Sequence, residues 1–127
     1  AFTLGASAVQ LGTAYLFCPE AKISPAHRRA LHTARESDTA LTNLFTGRPA
    51  RGISTRIMRE LGPVSDLAPA FPLAGGALAP IRAISEPQGN SDFSNLWSGQ
   101  ALRLGVELPA AKLTRKLAEE TLALIVR

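Results

Sequence analysis

GASAVQLGTAY, residues 5–15, is a short apolar run that ends at a glycine followed by a threonine. The apolar residues at positions 8, 9 and 11 form a run too short for a helix, and such a run is typical of a buried strand in a parallel sheet. Gly12 lets backbone N–H groups approach an anion closely, and Thr13 can add a hydroxyl donor or cap the next helix. The stretch therefore predicts a strand that ends either in a plain strand-to-helix turn or in a phosphate-binding turn.

The rest of the chain is predicted to be rich in helix. Ser24-Pro25 provides an N-cap and a first helical residue for a helix over 26–36. The further predicted elements are a strand over 39–45, a helix from Ser54 or Thr55 to Leu61, and helices over 77–85, over 95–103 and from Pro109 onward. The last helix carries an apolar stripe at helical spacing that needs a partner surface, formed by Leu113, Leu117, Thr121, Leu124 and Ile125.

Four separated segments resemble the motifs of one protein family. They are GASAVQLGTAY over 5–15, DTALT over 38–42, FTGRPARG over 45–52 and LWSGQ over 96–100. In this order and at this spacing the chain resembles the C-terminal portion of the nitronate monooxygenase family, formerly called 2-nitropropane dioxygenases. The resemblance covers essentially all 127 residues, and the FTGRPARG run is more specific than the Gly-Thr pair.

The resemblance implies an α/β fold, because family members resemble a flavin-binding TIM (β/α)8 barrel. Such a barrel needs about 250 residues, and this chain opens on what reads as the end of a helix. We therefore expect a C-terminal fragment of the barrel with a mostly helical inserted region. The expected division is a last barrel strand and phosphate-binding turn over 1–18, the mostly helical inserted region over 19–90, and closing barrel helices over 91–127.

The resemblance also implies a cofactor and a reaction. The family's pattern gives FMN as the cofactor, with contacts from Gln10, Leu11, Gly12 and Thr13 and with the amides of the last two at the phosphate. The implied reaction is the oxidation of an alkyl nitronate with dioxygen to a carbonyl compound and nitrite. Because the family's catalytic histidine lies upstream of this portion, we expect no catalytic residue in this chain, and little activity from it alone.

Two other functions are left open. A flavin-dependent enoyl-acyl-carrier-protein reductase of the same barrel family shares the Val-Gln-x-Gly-Thr strand end, although the inserted region argues mildly against it. A small helical interaction module without a cofactor is the non-enzymatic alternative. The sequence does not identify the exact substrate or decide whether the protein forms a homo-oligomer.

Composition narrows the expected partners. The formal net charge is +4 and the sequence pI is about 10.0, but the basic residues are scattered and are not interleaved with aromatic residues, so no nucleic-acid partner is expected. No apolar run approaches the roughly 18 residues of a membrane span. The single cysteine, Cys18, cannot form an internal disulfide, and a cytoplasmic location is therefore expected.

The two histidines, the single cysteine and two of the arginines are further candidates for a functional role. His27 and His32 lie five residues apart, so they do not share a helix face as a metal pair would, and both are predicted at the surface. Cys18 is expected to be a free structural thiol, and no metal site is predicted. Arg48 and Arg51 either clamp a carboxylate or, as we favour, brace the inserted region against the barrel. LWSGQ supplies either Trp97 to the core, which we favour, or Gln100 to the flavin-side cavity.

Overall fold

The computed structural model describes residues 1–125, which form five helices, one two-stranded sheet and three turns of 3-10 helix. The helices are α1 (Thr13–Leu16), α2 (Pro25–Thr33), α3 (Arg56–Leu61), α4 (Ala74–Ser85) and α5 (Ala110–Ile125). The strands are β1 (Thr39–Thr42) and β2 (Ala50–Ile53), and the 3-10 turns cover Glu36–Asp38, Glu86–Gln88 and Gln100–Leu104. No helix of this part of the chain is long and apolar enough to span a bilayer.

The start of α2 follows directly from its sequence. The Ser24 hydroxyl accepts a hydrogen bond from the His27 amide at 3.1 Å, and Pro25 occupies the first helical position. The helix ends at Thr33, three residues before the predicted end. Ala34 is extended, and Asp38 then accepts a hydrogen bond from the Arg35 amide at 2.8 Å, which closes a separate 3-10 turn.

The strands form an antiparallel hairpin in which Thr39 faces Ile53 and Thr42 faces Ala50. The strand predicted over 39–45 is therefore confirmed over its first four residues, and its partner was not predicted. The two strands are joined by a turn that contains Gly47, whose φ is +83°. The region over 19–90 thus contains this hairpin in addition to the helices α2, α3 and α4.

Two clusters of buried side chains form the core. The first lies between α1, α2 and β2 and consists of Phe17, Leu31, Ala34, Ile53, Leu96 and Leu102. The second lies beneath α3 and consists of Leu44, Phe45, Ile57 and Met58, with Trp97 packed against it. Because the first cluster draws residues from 1–18, 19–90 and 91–127 alike, the three predicted divisions pack together rather than as separate units.

Three predicted elements differ from the structure. Residues 8–12 have neither strand nor helix assignment, because a strand needs a hydrogen-bonded neighbour and this stretch has none among the described residues. α4 begins at Ala74 rather than at 77, and the segment predicted as a helix over 95–103 is irregular up to its 3-10 turn at Gln100. Whether residues 8–11 belong to a barrel strand stays a prediction.

α5 begins one residue after Pro109, as predicted, but its apolar stripe is only partly covered. Leu113 is buried, Leu117 is half-buried, and Leu124 is 71% exposed. The first turn of α5 is anchored to the turn before α2, since the Glu20 carboxylate accepts hydrogen bonds from the Ala110 amide at 3.0 and 3.2 Å. The stripe therefore has a partner surface within the described chain only at its N-terminal end.

Candidate functional site

A groove of about 470 Å³ lies between the start of α1 and the segment around the last 3-10 turn. All four residues predicted to contact the flavin line it. The complete lining is Gln10, Leu11, Gly12, Thr13, Ala14, Gly99, Gln100, Ala101, Leu104, Gly105 and Leu117. Apart from two glutamines and one threonine, these residues are apolar, and none carries a charge.

Gly12 is the N-cap residue of α1 and stands at the mouth of this groove. A Cβ added at Gly12 would meet no atom within 4 Å. The amides that open α1 have no carbonyl partner within the helix, because the first N–H groups of any helix lack one. The turn therefore combines backbone donors with free space beside them, which is the arrangement that a phosphate oxygen requires. On this observation the turn would accommodate the phosphate group of a flavin.

The Thr13 hydroxyl is held by the far side of the groove. Its Oγ1 accepts a hydrogen bond from the Gly99 amide at 2.7 Å, across 86 positions of sequence. A Cβ on Gly99 would lie 3.4 Å from the same oxygen, which is an ordinary contact distance, so the hydrogen bond itself does not require a glycine. Because a hydroxyl accepts and donates at once, Thr13 keeps its proton free for a ligand oxygen.

The segment Leu96–Gly99 runs beside β2 and delivers Gly99 to Thr13. The Ile53 amide donates to the Leu96 carbonyl at 2.8 Å, and the Ser98 amide donates to the Arg51 carbonyl at 3.2 Å. Trp97 pairs with Gly52 in an isolated antiparallel bridge. The hairpin, one edge of which pairs with this segment, thus positions one wall of the groove.

His27 contradicts the prediction that both histidines lie at the surface. Its side chain is buried, with 8% exposed, and its Nε2 lies 3.0 Å from the Trp97 carbonyl oxygen. Burial lowers the pKa of His27, and the hydrogen bond to Trp97 opposes that shift in part. His27 is therefore a neutral donor near pH 7. The prediction failed because the sequence could not show that Leu96–Gly99 would cover this face of α2.

His32 and Cys18 agree with their predicted roles. His32 is exposed and lies 3.0 Å from the Glu107 carboxylate, so the two histidines have different partners. Cys18 is buried and free. No group of acidic, histidine or cysteine side chains within residues 1–125 is arranged to hold a metal ion.

Arg48 and Arg51 both make contacts inside the region over 19–90, so bracing of that region against the barrel stays a prediction. Arg51 donates from its guanidinium to the Thr39 carbonyl at 3.3 Å and to the Thr39 hydroxyl at 3.2 Å, across the hairpin. The Arg48 guanidinium stacks over the Phe71 ring at 4.3 Å. Arg51 also lines a shallower groove of about 340 Å³ on the other side of Thr13 and Gly99.

Both alternatives for LWSGQ have support in the structure. Trp97 packs edge-to-face on Phe45, with ring centroids 5.7 Å apart, which confirms its role in the core. Gln100 is exposed and lines the groove with Gln10 and Thr13.

The sequence did not predict the other wall of the groove, which Leu104, Gly105 and Leu117 complete. No local pattern indicates which surfaces the last 3-10 turn and α5 will face.

The chain matches the family described as nitronate monooxygenase over residues 1–120. It is 42% identical over 121 residues to a nitronate monooxygenase of Pseudomonas aeruginosa, covering 94% of this chain and 34% of that protein. A probable nitronate monooxygenase of Bacillus subtilis is 36% identical over 121 residues, covering 94% and 35%. The chain thus spans about a third of the length of the curated relatives it matches.

Two solved structures are similar in fold. A nitroalkane oxidase from Streptomyces ansochromogenes has a TM-score of 0.81 at 41% identity, covering 94% of this chain and 34% of that one. FabK from Thermotoga maritima has a TM-score of 0.70 at 23% identity, covering 98% and 40%, and at that identity the likeness is one of fold alone. With the family pattern matched over residues 1–120, this chain belongs to the nitronate monooxygenase family.

Proposed function

We propose that this chain is the C-terminal part of an FMN-dependent nitronate monooxygenase, and that Gln10, Leu11, Gly12 and Thr13 contact the flavin. The observation that carries the proposal is that these four residues line one groove, of about 470 Å³, in a member of this family. The upstream barrel, the catalytic histidine and the substrate pocket would belong to the rest of the enzyme.

The proposed phosphate contacts come from the start of α1. The amides of Gly12 and Thr13 would donate to phosphate oxygens, and the Thr13 hydroxyl would add a third donor while it accepts from Gly99. None of the described residues that line the groove is acidic, so no nearby carboxylate would repel the phosphate. Leu11, Leu104 and Leu117 would keep water away from the less polar part of the cofactor.

The flavin, when bound, would supply the redox chemistry. In that reaction electrons pass from an alkyl nitronate to dioxygen, and the products are a carbonyl compound and nitrite. The residues of this chain would bind and orient the cofactor. Within residues 1–125 the side chains at the groove include no histidine or carboxylate, and we place the catalytic base elsewhere in the enzyme.

The proposal is tested by comparing FMN with riboflavin, which lacks the phosphate, on the full-length enzyme. Gly12→Val fills the space beside the donors, and we expect FMN affinity to fall by at least about tenfold while riboflavin affinity changes little. The matched control is Gly76→Val, because Gly76 also has open space around its missing Cβ but lies in α4, away from the groove. Equal affinity for FMN in Gly12→Val and in the parent would refute the phosphate site.

A flavin-dependent enoyl-acyl-carrier-protein reductase is less well supported. The nitronate and nitroalkane relatives are 42% and 41% identical to this chain, whereas the FabK structure is 23% identical. Two measurements on the full-length enzyme distinguish the two activities. Nitronate-dependent uptake of dioxygen supports the proposal, and oxidation of a reduced nicotinamide by an enoyl thioester supports the alternative. A full-length protein that binds no flavin would favour the interaction module.

A further inference from the structure

The groove wall that contacts Thr13 is hydrogen-bonded to His27, a buried residue that does not line the groove. His27 lies on α2, is 8% exposed, and places Nε2 3.0 Å from the Trp97 carbonyl oxygen, 70 positions away in sequence. A carbonyl oxygen can only accept, so Nε2 carries the proton of this hydrogen bond. The imidazole is therefore fixed in one tautomer, with its donor directed at the Leu96–Gly99 segment.

Two hydrogen bonds clamp a single peptide group, one donated by His27 and the other accepted by the Arg51 carbonyl. The Trp97 carbonyl and the Ser98 amide belong to the same planar peptide and point in opposite directions. α2 holds the carbonyl through His27, and β2 holds the amide through the Arg51 carbonyl at 3.2 Å. Rotation of this peptide is consequently opposed on both sides.

The next amide along the chain is the one that reaches the groove. The Gly99 N–H follows the clamped peptide and donates to Thr13 Oγ1 at 2.7 Å. This N–H belongs to the Ser98–Gly99 peptide, which is joined to the clamped peptide at the Cα of Ser98, so its direction depends on that peptide and on the φ and ψ of Ser98. Two hydrogen bonds and the backbone between Trp97 and Gly99 thus connect His27 to the hydroxyl at the candidate phosphate site.

We propose that His27 is a positioning residue for the flavin phosphate site, which it serves by fixing the Trp97–Ser98 peptide so that Gly99 holds the Thr13 hydroxyl. This inference rests on the function proposed above. His27 touches neither cofactor nor substrate in this role and acts only through Thr13. Without its donor, the Trp97 carbonyl loses its partner, and the Gly99 amide is free to leave Thr13.

The test is a double-variant cycle on the full-length enzyme, with FMN and riboflavin affinities measured for each variant. We expect His27→Leu to weaken FMN by about tenfold, the effect of one lost hydrogen bond to a charged group, with riboflavin changed less than about twofold. Thr13→Val should produce a similar loss. The double variant should be no weaker than Thr13→Val alone, because both changes remove the same contact.

Two further variants separate positioning from packing. His27→Gln keeps an N–H donor and should recover most of the FMN affinity. Leu31→Ala opens a cavity in the same helix and the same core, and it should lower stability while leaving the ratio of FMN to riboflavin affinity unchanged. If His27→Leu does not fold, His27→Asn takes its place in the cycle with the same expected result, because its amide nitrogen is one bond closer to the backbone than Nε2 and falls short of the Trp97 carbonyl.

The outcomes distinguish this inference from the function on which it rests. If neither Gly12→Val nor Thr13→Val alters the ratio of the two affinities, the phosphate site itself is wrong. If both alter it but the His27 variant leaves it unchanged, or weakens both flavins equally, His27 only stabilises the fold and the positioning role is refuted. Losses from His27→Leu and Thr13→Val that add up would also refute it.

Discussion

Gly47 is the residue whose substitution should harm the fold most directly. Its φ is +83°, and a Cβ at this position would lie 2.3 Å from the Phe71 amide nitrogen and 2.6 Å from the Pro69 carbonyl oxygen. Both contacts are with backbone, which cannot move aside as a flexible side chain can. We expect Gly47→Ala to destabilise the protein by about 2–4 kcal/mol, from left-handed backbone strain and overpacking together.

The measurement is the thermal unfolding midpoint of the full-length enzyme, which should fall by several degrees. Gly76→Ala is the matched control, because Gly76 has open space around its missing Cβ and lies inside α4, where alanine is the better helix former. It should be neutral or slightly stabilising. A midpoint for Gly47→Ala equal to that of the control would mean that the 69–71 loop moves aside at little cost.

At the residue scale, the sequence predicted what single residues would do better than it predicted which other residues they would contact. The glycine of FTGRPARG is explained by the positive φ of Gly47 and by the backbone atoms that a Cβ there would meet. His27 was misplaced because burial depends on a segment 70 residues away. Thr55 was one of two predicted N-caps of α3 and does occupy that position, but its hydroxyl makes no capping bond and is buried without a hydrogen-bond partner. Such outcomes depend on side-chain directions that spacing does not specify.

At the scale of elements, α5 is held by a cap from outside the helix. The Glu20 carboxylate receives the Ala110 amide in the first turn of α5, where the helix dipole favours a negative charge. We expect Glu20→Ala to weaken this end of α5 by about 1 kcal/mol. Amide hydrogen exchange in the first turn of α5 should become several times faster in the full-length enzyme.

The control for this prediction is Glu119→Ala, which removes a carboxylate from the exposed side of α5 and should leave exchange in the first turn unchanged. A separate hydrogen bond between α1 and α5, from the Tyr15 hydroxyl to Thr114 Oγ1 at 2.8 Å, remains in both variants. Unaltered exchange after Glu20→Ala would show that packing of Leu113, not the cap, holds this end of the helix.

Local signals predicted the helices and missed half of the hairpin. Ser24-Pro25, Gly62 and Pro109 mark helix ends through capping and backbone restriction, and α2, α3, α4 and α5 lie within three residues of their predicted bounds, whereas the helix predicted over 95–103 did not form. β2 was missed because Ala50-Arg-Gly-Ile53 contains arginine and glycine in place of alternating apolar residues. It is a strand because β1 and the Leu96–Gly99 segment supply its hydrogen bonds, which is tertiary information.

At the scale of the whole molecule, the groove and the apolar surface support the proposal that this chain is part of a larger enzyme. The family resemblance predicted Gln10 to Thr13 as a unit, and the fold brings Gly99, Gln100 and α5 to the same groove. Large side chains are nevertheless left uncovered on two helices, with Leu73 67% exposed, Ile84 68% and Leu124 71%. Side chains of this kind in a globular protein usually meet another surface, and the relatives are about three times as long as this chain.

We therefore expect the isolated chain of 127 residues to oxidise no alkyl nitronate, even with excess FMN, because under the proposed function it would supply the phosphate site while the catalytic base would lie in the rest of the enzyme. The measurement is nitronate-dependent uptake of dioxygen, with free FMN as the background and the full-length enzyme as the positive control. The chain should consume dioxygen at the background rate. Turnover clearly above that rate would show that the groove between α1 and α5 already contains the reaction's essential groups, and would overturn the assignment of the base to the rest of the enzyme.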